Sequence, residues 1–331
     1  MQIHGVKSQK TRINYGVPQG SILGPLLFTI YINLLPTVTS MHTNLYADDT
    51  VFVVNAKDPN TLQERANEQL KLASDWFNNN SLTLAPEKTV YLLHNAKKSQ
   101  TINIEMNGCT LTRVTETKYV GVIIDEKLSW KPHIDYIARK TRQNNFLLNK
   151  VKHIFPAKLK LWLYNALIKP YLEYCCAIWG HQNTQKLKII QKRSIRCING
   201  SKNMRCHTND IFRKFNVLKM EDLVRYCCAT FVHKIRYNRG PLNICLMFEE
   251  EDPLYSTRSA SKEFLTLPNW KQDWMRKNIQ FQGAKIWNDI PQTIRRIVIP
   301  EEFKVLLKQH YLNEYKKYKK CDKILCISCK K

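Results

Sequence analysis

Residues 44–54 read Asn-Leu-Tyr-Ala-Asp-Asp-Thr-Val-Phe-Val-Val, placing two adjacent carboxylates between short runs of aromatic and β-branched residues. Such runs favour strands, and an Asp-Asp junction between them favours a tight turn. The sequence therefore predicts a β-hairpin with Asp48 and Asp49 at its tip. Two carboxylates this close repel, and each tends to take up a proton unless water or a cation compensates. A divalent ion meets that need, because Mg²⁺ binds through one or two carboxylates and completes its shell with water and substrate phosphates. Two such ions about 4 Å apart can activate a 3′-hydroxyl and stabilise a leaving pyrophosphate. Asp48 and Asp49 are thus candidate catalytic and metal-ligating residues. A plain solvated turn has the same spelling, so the neighbouring segment has to separate the two readings.

That segment opens with Gly16-Val17-Pro18-Gln19-Gly20-Ser21 and continues from Pro25 into Leu26, Leu27, Phe28, Ile30, Tyr31 and Leu34 at near-helical spacing. Proline in a first helical turn after a glycine-bearing loop is a helix start. Glycine lets backbone approach a ligand closely, and Gln19 supplies both a donor and an acceptor at that approach. A flat base pair suits such a loop, which makes Pro18, Gln19, Gly20 and Ser21 candidate nucleotide or template contacts. The apolar positions Leu26, Leu27, Phe28 and Ile30 read as one ordinary buried helix.

With these residues in view, the loop-helix resembles motif B, and Tyr46-Ala47-Asp48-Asp49 resembles motif C, of reverse transcriptases of non-LTR (LINE-type, jockey-like) retrotransposons. Trp76 to Thr89 is similar to the next palm segment, a helix leading to a turn that carries Lys88. Tyr119-Val120-Gly121-Val122-Ile123-Ile124-Asp125, with Leu128-Ser129-Trp130 and His133-Ile134, resembles the primer-grip hairpin and the start of the thumb. Thr257-Arg258-Ser259-Ala260 and Gly283 to Pro291 are similar to the C-terminal region of the same elements. The resemblance implies RNA-directed DNA polymerase chemistry with Mg²⁺ or Mn²⁺, an RNA template, a DNA primer and a deoxynucleoside triphosphate. It further implies that Asp48 bridges both ions with Asp49 as partner, and that Tyr46 and Ala47 lie beneath the primer terminus. Lys88 would approach the triphosphate, and Val120 and Gly121 would grip the primer. The family also carries an aspartate-bearing strand and fingers ahead of motif B. The fifteen residues before Gly16 contain no acid, so the expectation is a 5′-truncated enzyme with an incomplete two-metal site, inactive alone, or a non-catalytic remnant that binds RNA or RNA-DNA hybrid.

Charge points to the same partners. The chain carries a net +25, yet residues 1–130 hold 12 Lys and Arg against 11 Asp and Glu, while residues 131–331 hold 40 against 16. An excess of that size favours phosphate backbones through counterion release. Lys150, Lys152, Lys158 and Lys160, and then Lys188, Lys192, Arg193 and Arg196 at near-helical spacing, are the candidate nucleic-acid contacts. No long apolar span or amino-terminal signal pattern favours a membrane partner. Nucleus or cytoplasm follows by family analogy, without secretion.

The fold expected is α+β: a partial palm of the right-hand polymerase fold over residues 1–125, a mainly helical thumb and connection over 126–248, and a basic C-terminal region over 249–331. Thr61 to Phe77 reads as one amphipathic helix, and Ala157 to Ile178 as a helical run broken or kinked at Pro170. Glu249-Glu250-Glu251-Asp252-Pro253 reads as an acidic joint, and Phe303, Leu306, Leu307 and Tyr311 as the face of a last helix. Eleven cysteines, an odd count with two adjacent pairs, read as reduced and mostly buried thiols. Cys321, Cys326 and Cys329 have two zinc-compatible spacings, with His310 the nearest fourth donor. They read instead as part of a basic tail with free thiols, because a closed zinc site wants four compactly spaced ligands.

Overall fold

Among the described residues, each sheet of this protein has only two strands. The computed structural model describes residues 2–3, 6–7, 16–17, 20–94, 102–201, 207–237, 239–248, 264–272 and 275–315. The chain divides into two compact units, Met1–Leu128 and Ser129–Lys331.

The first unit contains five two-stranded sheets among the described residues. Strand β1 (Gln2–Ile3) pairs with β2 (Val6–Lys7), and helices α1 (Leu23–Ile32) and α2 (Leu35–Val38) follow. Next comes the antiparallel hairpin β3 (His42–Tyr46) and β4 (Asp49–Val53), then the long helix α3 (Pro59–Asn79). The sequence sets α3 at both ends. Asp58 caps it by accepting a bond from the Thr61 amide at 2.9 Å, Pro59 occupies its first turn, and Ser81 leaves it at φ 54°. Its buried positions Ala66, Leu70, Ala73 and Phe77 recur at three and four residues, as the amphipathic pattern requires.

Short strands β5 (Val90–Tyr91), β6 (Glu105–Met106), β7 (Cys109–Thr110) and β8 (Thr112–Arg113) follow, with β5 and β8 parallel and β6 packed against α3. A further antiparallel hairpin closes the unit, β9 (Glu116–Tyr119) against β10 (Val122–Asp125). Two small cores result. Ile32, Leu35, Ala73 and Phe77 gather Leu45, Phe52, Leu82 and Leu84, while Met41, Ala66, Leu70, Ile104, Met106 and Leu111 form the other.

Helix α1 departs from expectation. The sequence reads it as a buried helix, but Ile22, Leu23, Leu26, Leu27, Ile30 and Leu34 are each more than half exposed, and its buried positions are Gly24 and Ile32. The reason is coverage. No Asp, Glu, Lys or Arg occurs between Arg12 and Asp48, so α1 is apolar all round, whereas the described residues pack against only one side of it.

The second unit is helical. Helix α4 (Lys131–Lys150) leads to α5 (Ala157–Leu167), α6 (Lys169–Glu173), α7 (Cys176–Trp179) and α8 (Gln185–Ile198). The run expected over 157–178 breaks at Ile168, and Pro170 sits in the first turn of the new helix α6, where its missing N–H costs nothing. Helices α9 (Asn209–Lys214), α10 (Met220–Arg236), α11 (Leu242–Cys245), α12 (Ile279–Asp289), α13 (Gln292–Arg295) and α14 (Pro300–Glu314) complete it. One core unites them around Trp179, Phe212, Trp287 and Phe303, and it draws on residues 134–232 and 265–315 alike. Gly283 marks how closely α12 meets α10, for a Cβ there would lie 2.9 Å from both Val232 Cγ2 and Phe248 Cε1.

The joint at Glu249–Pro253 and the segment Thr257–Ala260 lie outside the described residues. On α14, Phe303, Leu307 and Tyr311 are buried and Leu306 is exposed at 36%. Of the seven described cysteines, all free, only Cys176, Cys197 and Cys228 are buried, so the expectation of mostly buried thiols holds for fewer than half of them.

Candidate active site

The hairpin β3–β4 is registered by Tyr46↔Asp49, which leaves Ala47 and Asp48 as a two-residue turn. Ala47 takes φ 51°. For a residue with a Cβ the left-handed region costs roughly 1–2 kcal/mol, and such strain is commonly stored where a site needs a fixed backbone. Below the tip, Leu45 and Phe52 anchor the strands on Ala73 and Phe77 of α3. Asp48 and Asp49 are both exposed, and Tyr46 is 60% exposed beside them. The result is two neighbouring carboxylates, reachable from solvent, on a braced turn.

This donor set suits a hard, partly hydrated cation, which needs only one or two carboxylates from the protein. Among the described residues no group of three or more His, Cys, Asp or Glu side chains is placed to hold a metal ion. Lys88 sits exposed in a 3-10 turn, Pro86–Lys88, and makes no ion pair with Asp48 or Asp49 among the described residues. Its segment is nevertheless tied to the hairpin, because Leu82 and Leu84 pack in the same cluster as Leu45 and Phe52.

Of the loop ahead of α1, Pro18 and Gln19 lie outside the described residues. Gly20 is exposed at φ +84° with nothing within 4 Å of where a Cβ would stand, so the position demands glycine for its backbone and leaves open space beside it. Ser21 is half-buried, and its hydroxyl accepts from the Gly24 amide at 3.1 Å, capping the helix start. Gly24 permits this, since a Cβ there would sit 2.8 Å from Ser21 Oγ. Val120 and Gly121 form the tight turn of β9–β10 at φ 43° and 81°. Positive φ at both central residues is the hairpin turn whose twist matches the strands, but a β-branched residue there is a true outlier.

The basic surface lies in the second unit. Lys150 and Lys158 are exposed, each with its ammonium over an aromatic ring: Phe146 at 4.9 Å and Trp162 at 5.4 Å. Lys152 and Arg193 are also exposed, Lys192 and Arg196 half-buried, and Lys188 is held in an ion pair with Glu221. Lys160 corrects the sequence reading. It is 4% exposed, and its ammonium donates to the carbonyls of Lys152 at 3.1 Å and Cys197 at 3.2 Å. The sequence reading grouped it with Lys158 as a surface contact, yet residues two apart on a helix point to different sides, and Lys160 turns inward, where an extended amine satisfies backbone acceptors at the ends of two neighbouring segments.

Sequence reasoning also missed the aromatic partners. Phe146–Lys150 and Lys158–Trp162 are i,i+4 pairs, a spacing that was legible. His207 is a further member of the basic cluster. Burial chiefly lowers its pKa, followed by the charge of Lys219, and Lys192 and Arg196 add to the effect while Asp210 opposes it. Cys321, Cys326 and Cys329 lie outside the described residues, and His310 Nε2 stands 3.8 Å from Glu314 on α14.

Residues 1–124 match the family model for reverse transcriptase (RNA-dependent DNA polymerase). The chain is 28% identical over 200 residues to the probable RNA-directed DNA polymerase from transposon BS of Drosophila melanogaster, covering 55% of this chain and 22% of that protein. It is 24% identical over 257 residues to the RNA-directed DNA polymerase from mobile element jockey of the same organism, covering 73% of this chain and 28% of that one. A retrovirus-related Pol polyprotein from the type-1 retrotransposable element R1 of Bradysia coprophila is 25% identical over 181 residues, covering 50% of this chain and 17% of that protein. The chain therefore spans about a quarter of the length of the first two relatives. No solved structure matches it. The chain's relatives are RNA-directed DNA polymerases of non-LTR mobile elements, and the match to the family model begins at residue 1, ahead of the Gly16 loop.

Proposed function

We propose that this chain is the palm and helical thumb portion of an RNA-directed DNA polymerase of a non-LTR retrotransposon, working on an RNA template and a DNA primer. The observation that carries the reading is the pair Asp48 and Asp49, exposed together at the tip of a hairpin whose turn is strained at Ala47, inside the segment that matches the reverse transcriptase family. These carboxylates would hold Mg²⁺ or Mn²⁺, which when bound supplies charge neutralisation at the reacting phosphates. The protein's own contribution is positional. The β3–β4 register fixes the acids, Tyr46 offers an apolar face beside them, and Gly20 leaves room for a base or sugar to approach backbone. Lys88 lies on a segment anchored to the same small core, from which its ammonium can reach a triphosphate. The turn Val120-Gly121 presents a rigid knuckle for the primer strand.

A second reading, non-catalytic binding of RNA or RNA-DNA hybrid, is favoured by two observations. The described donor set offers two carboxylates without a third, and nearly all the net charge lies after residue 130. Primer extension on an RNA template with Mg²⁺ and then Mn²⁺, beside D48A/D49A, separates them. Extension that disappears in the double variant supports the enzyme. No extension from a folded chain that binds hybrid with a steep salt dependence, unchanged in the double variant, supports the binder. A chain that neither extends primers nor binds nucleic acid would sink both.

A further inference from the structure

Between Asp135 and Glu173 the chain holds eight Lys and Arg and no acidic residue. The stretch covers most of α4, the turn after it and α5. The two helices run antiparallel, tied at one end where Asn144 donates to the Leu167 carbonyl and at the other where Lys160 donates to the Lys152 carbonyl. On this hairpin Phe146 is 59% exposed, Ile154 74%, Phe155 38% and Trp162 57%. Large apolar rings are normally withdrawn from water, and a cluster of exposed ones amid one sign of charge marks an interaction surface.

The cation–π pairs say what kind of partner fits. Lys150 stands over Phe146 and Lys158 over Trp162, each four residues away along its helix, about 6 Å of axial rise. A base laid on such a ring and a phosphate held by the neighbouring ammonium are the two halves of one nucleotide contact. Paired bases stack on one another and hide their faces, whereas unpaired bases offer theirs to aromatic side chains.

We infer that the α4–α5 hairpin is a single-strand platform, on which Phe146 and Trp162 stack unpaired bases while Lys150 and Lys158 take the flanking phosphates. The inference rests on the reading of the basic half as a nucleic-acid binder and adds to it the strandedness and the stacking residues.

The test uses the full chain and fluorescence anisotropy with three probes of equal length: a uridine single strand, the same strand made abasic, and an RNA-DNA hybrid. The wild type should bind the uridine strand about tenfold or more tightly than the abasic one, since stacking contributes substantially per base. F146A/W162A should remove that preference, with the salt slope and hybrid affinity kept, because no phosphate contact is lost. F146W/W162F, which retains two aromatic faces, should preserve it. Because the rings are exposed, the variants should fold, and circular dichroism checks this. Equal binding of uridine and abasic strands by the wild type, or parallel loss of single strand and hybrid in F146A/W162A, would overturn the platform while leaving the nucleic-acid reading intact. So would capture by phosphatidylserine vesicles that F146A/W162A abolishes with single-strand affinity unchanged. Failure of the wild type to bind any of the three probes would overturn the nucleic-acid reading itself.

Discussion

The ammonium of Lys160 donates to the carbonyl oxygen of Cys197, thirty-seven residues later, at 3.2 Å and out of contact with water. Together with its bond to Lys152 it ties α5 to the turn after α4 and to the last turn of α8. Lys160→Ala leaves two carbonyls without this donor, and the expected cost is about 2–4 kcal/mol of unfolding free energy. Urea titration followed by circular dichroism reads it. Nucleic-acid binding by the refolded variant should keep its salt slope, while K150Q and K158Q should each lower the slope by about one and change stability by less than about 0.5 kcal/mol. A K160A chain of full stability would refute the buried tie.

Acid should loosen the second unit. Burial holds His133 and His181 at a pKa of about 4, below the 6.5 of an exposed imidazole. His133 packs edge-on against Trp179 at 5.6 Å, and the Nε2 of His181 is buried with no hydrogen-bond partner among the described residues. The unfolded chain therefore binds more protons than the folded one between about pH 6.5 and 4. Stability should be complete above that window and fall as pH drops through it, by up to about 3 kcal/mol per histidine. H133N/H181N should flatten the pH dependence of the urea midpoint in this range. A wild-type midpoint that does not move between pH 7 and 4.5 contradicts the argument.

Val120 carries its β-branched side chain at φ 43° in the β9–β10 turn, next to Gly121 at 81°. Asn-Gly is the preferred pair for this geometry. Val120→Asn should thus raise stability by about 0.5–1 kcal/mol, the relief of a left-handed penalty of roughly 1–2 kcal/mol less the packing of a half-buried valine. If this chain extends primers and uses the turn as a primer contact, the same variant should extend them more slowly while melting higher. Faster melting would show that valine's packing outweighs its strain.

The outer face of α1 should govern how the protein behaves in solution. Leu26→Glu with Ile30→Glu changes residues 56% and 63% exposed, so the stability cost should stay within about 0.5 kcal/mol per site. Sedimentation velocity should show less self-association than in the wild type. A large loss of stability would mean that this face is covered.

Local chemistry was the most legible part of the chain. The spacing of Ala66, Leu70, Ala73 and Phe77 marked α3, which runs two residues beyond each end of the expected Thr61 to Phe77 because Asp58 and Pro59 start it earlier, and the β-branched runs around Asp48 and Asp49 set their hairpin. What depended on tertiary neighbours was not legible. Lys158 and Lys160 differ by two positions and identical chemistry, yet one meets water and the other two carbonyls, a choice made by how α5 rolls onto α4 and α8. Apolar composition likewise cannot say how many sides of α1 will find a partner. Nor did the strain at Ala47 and Val120 announce itself, because neither residue type favours the backbone it takes.

The shared core of the second unit has a last consequence. Trp287 and Phe303 sit fully buried among residues contributed from before position 248, and Tyr315 donates to Asp222 at 2.6 Å across 93 residues. A backbone cut between 248 and 264 would therefore leave two peptides held by their interleaved side chains. In that sense 264–315 is an internal subunit, whose loss would unroof α10 and whose addition in trans could restore it.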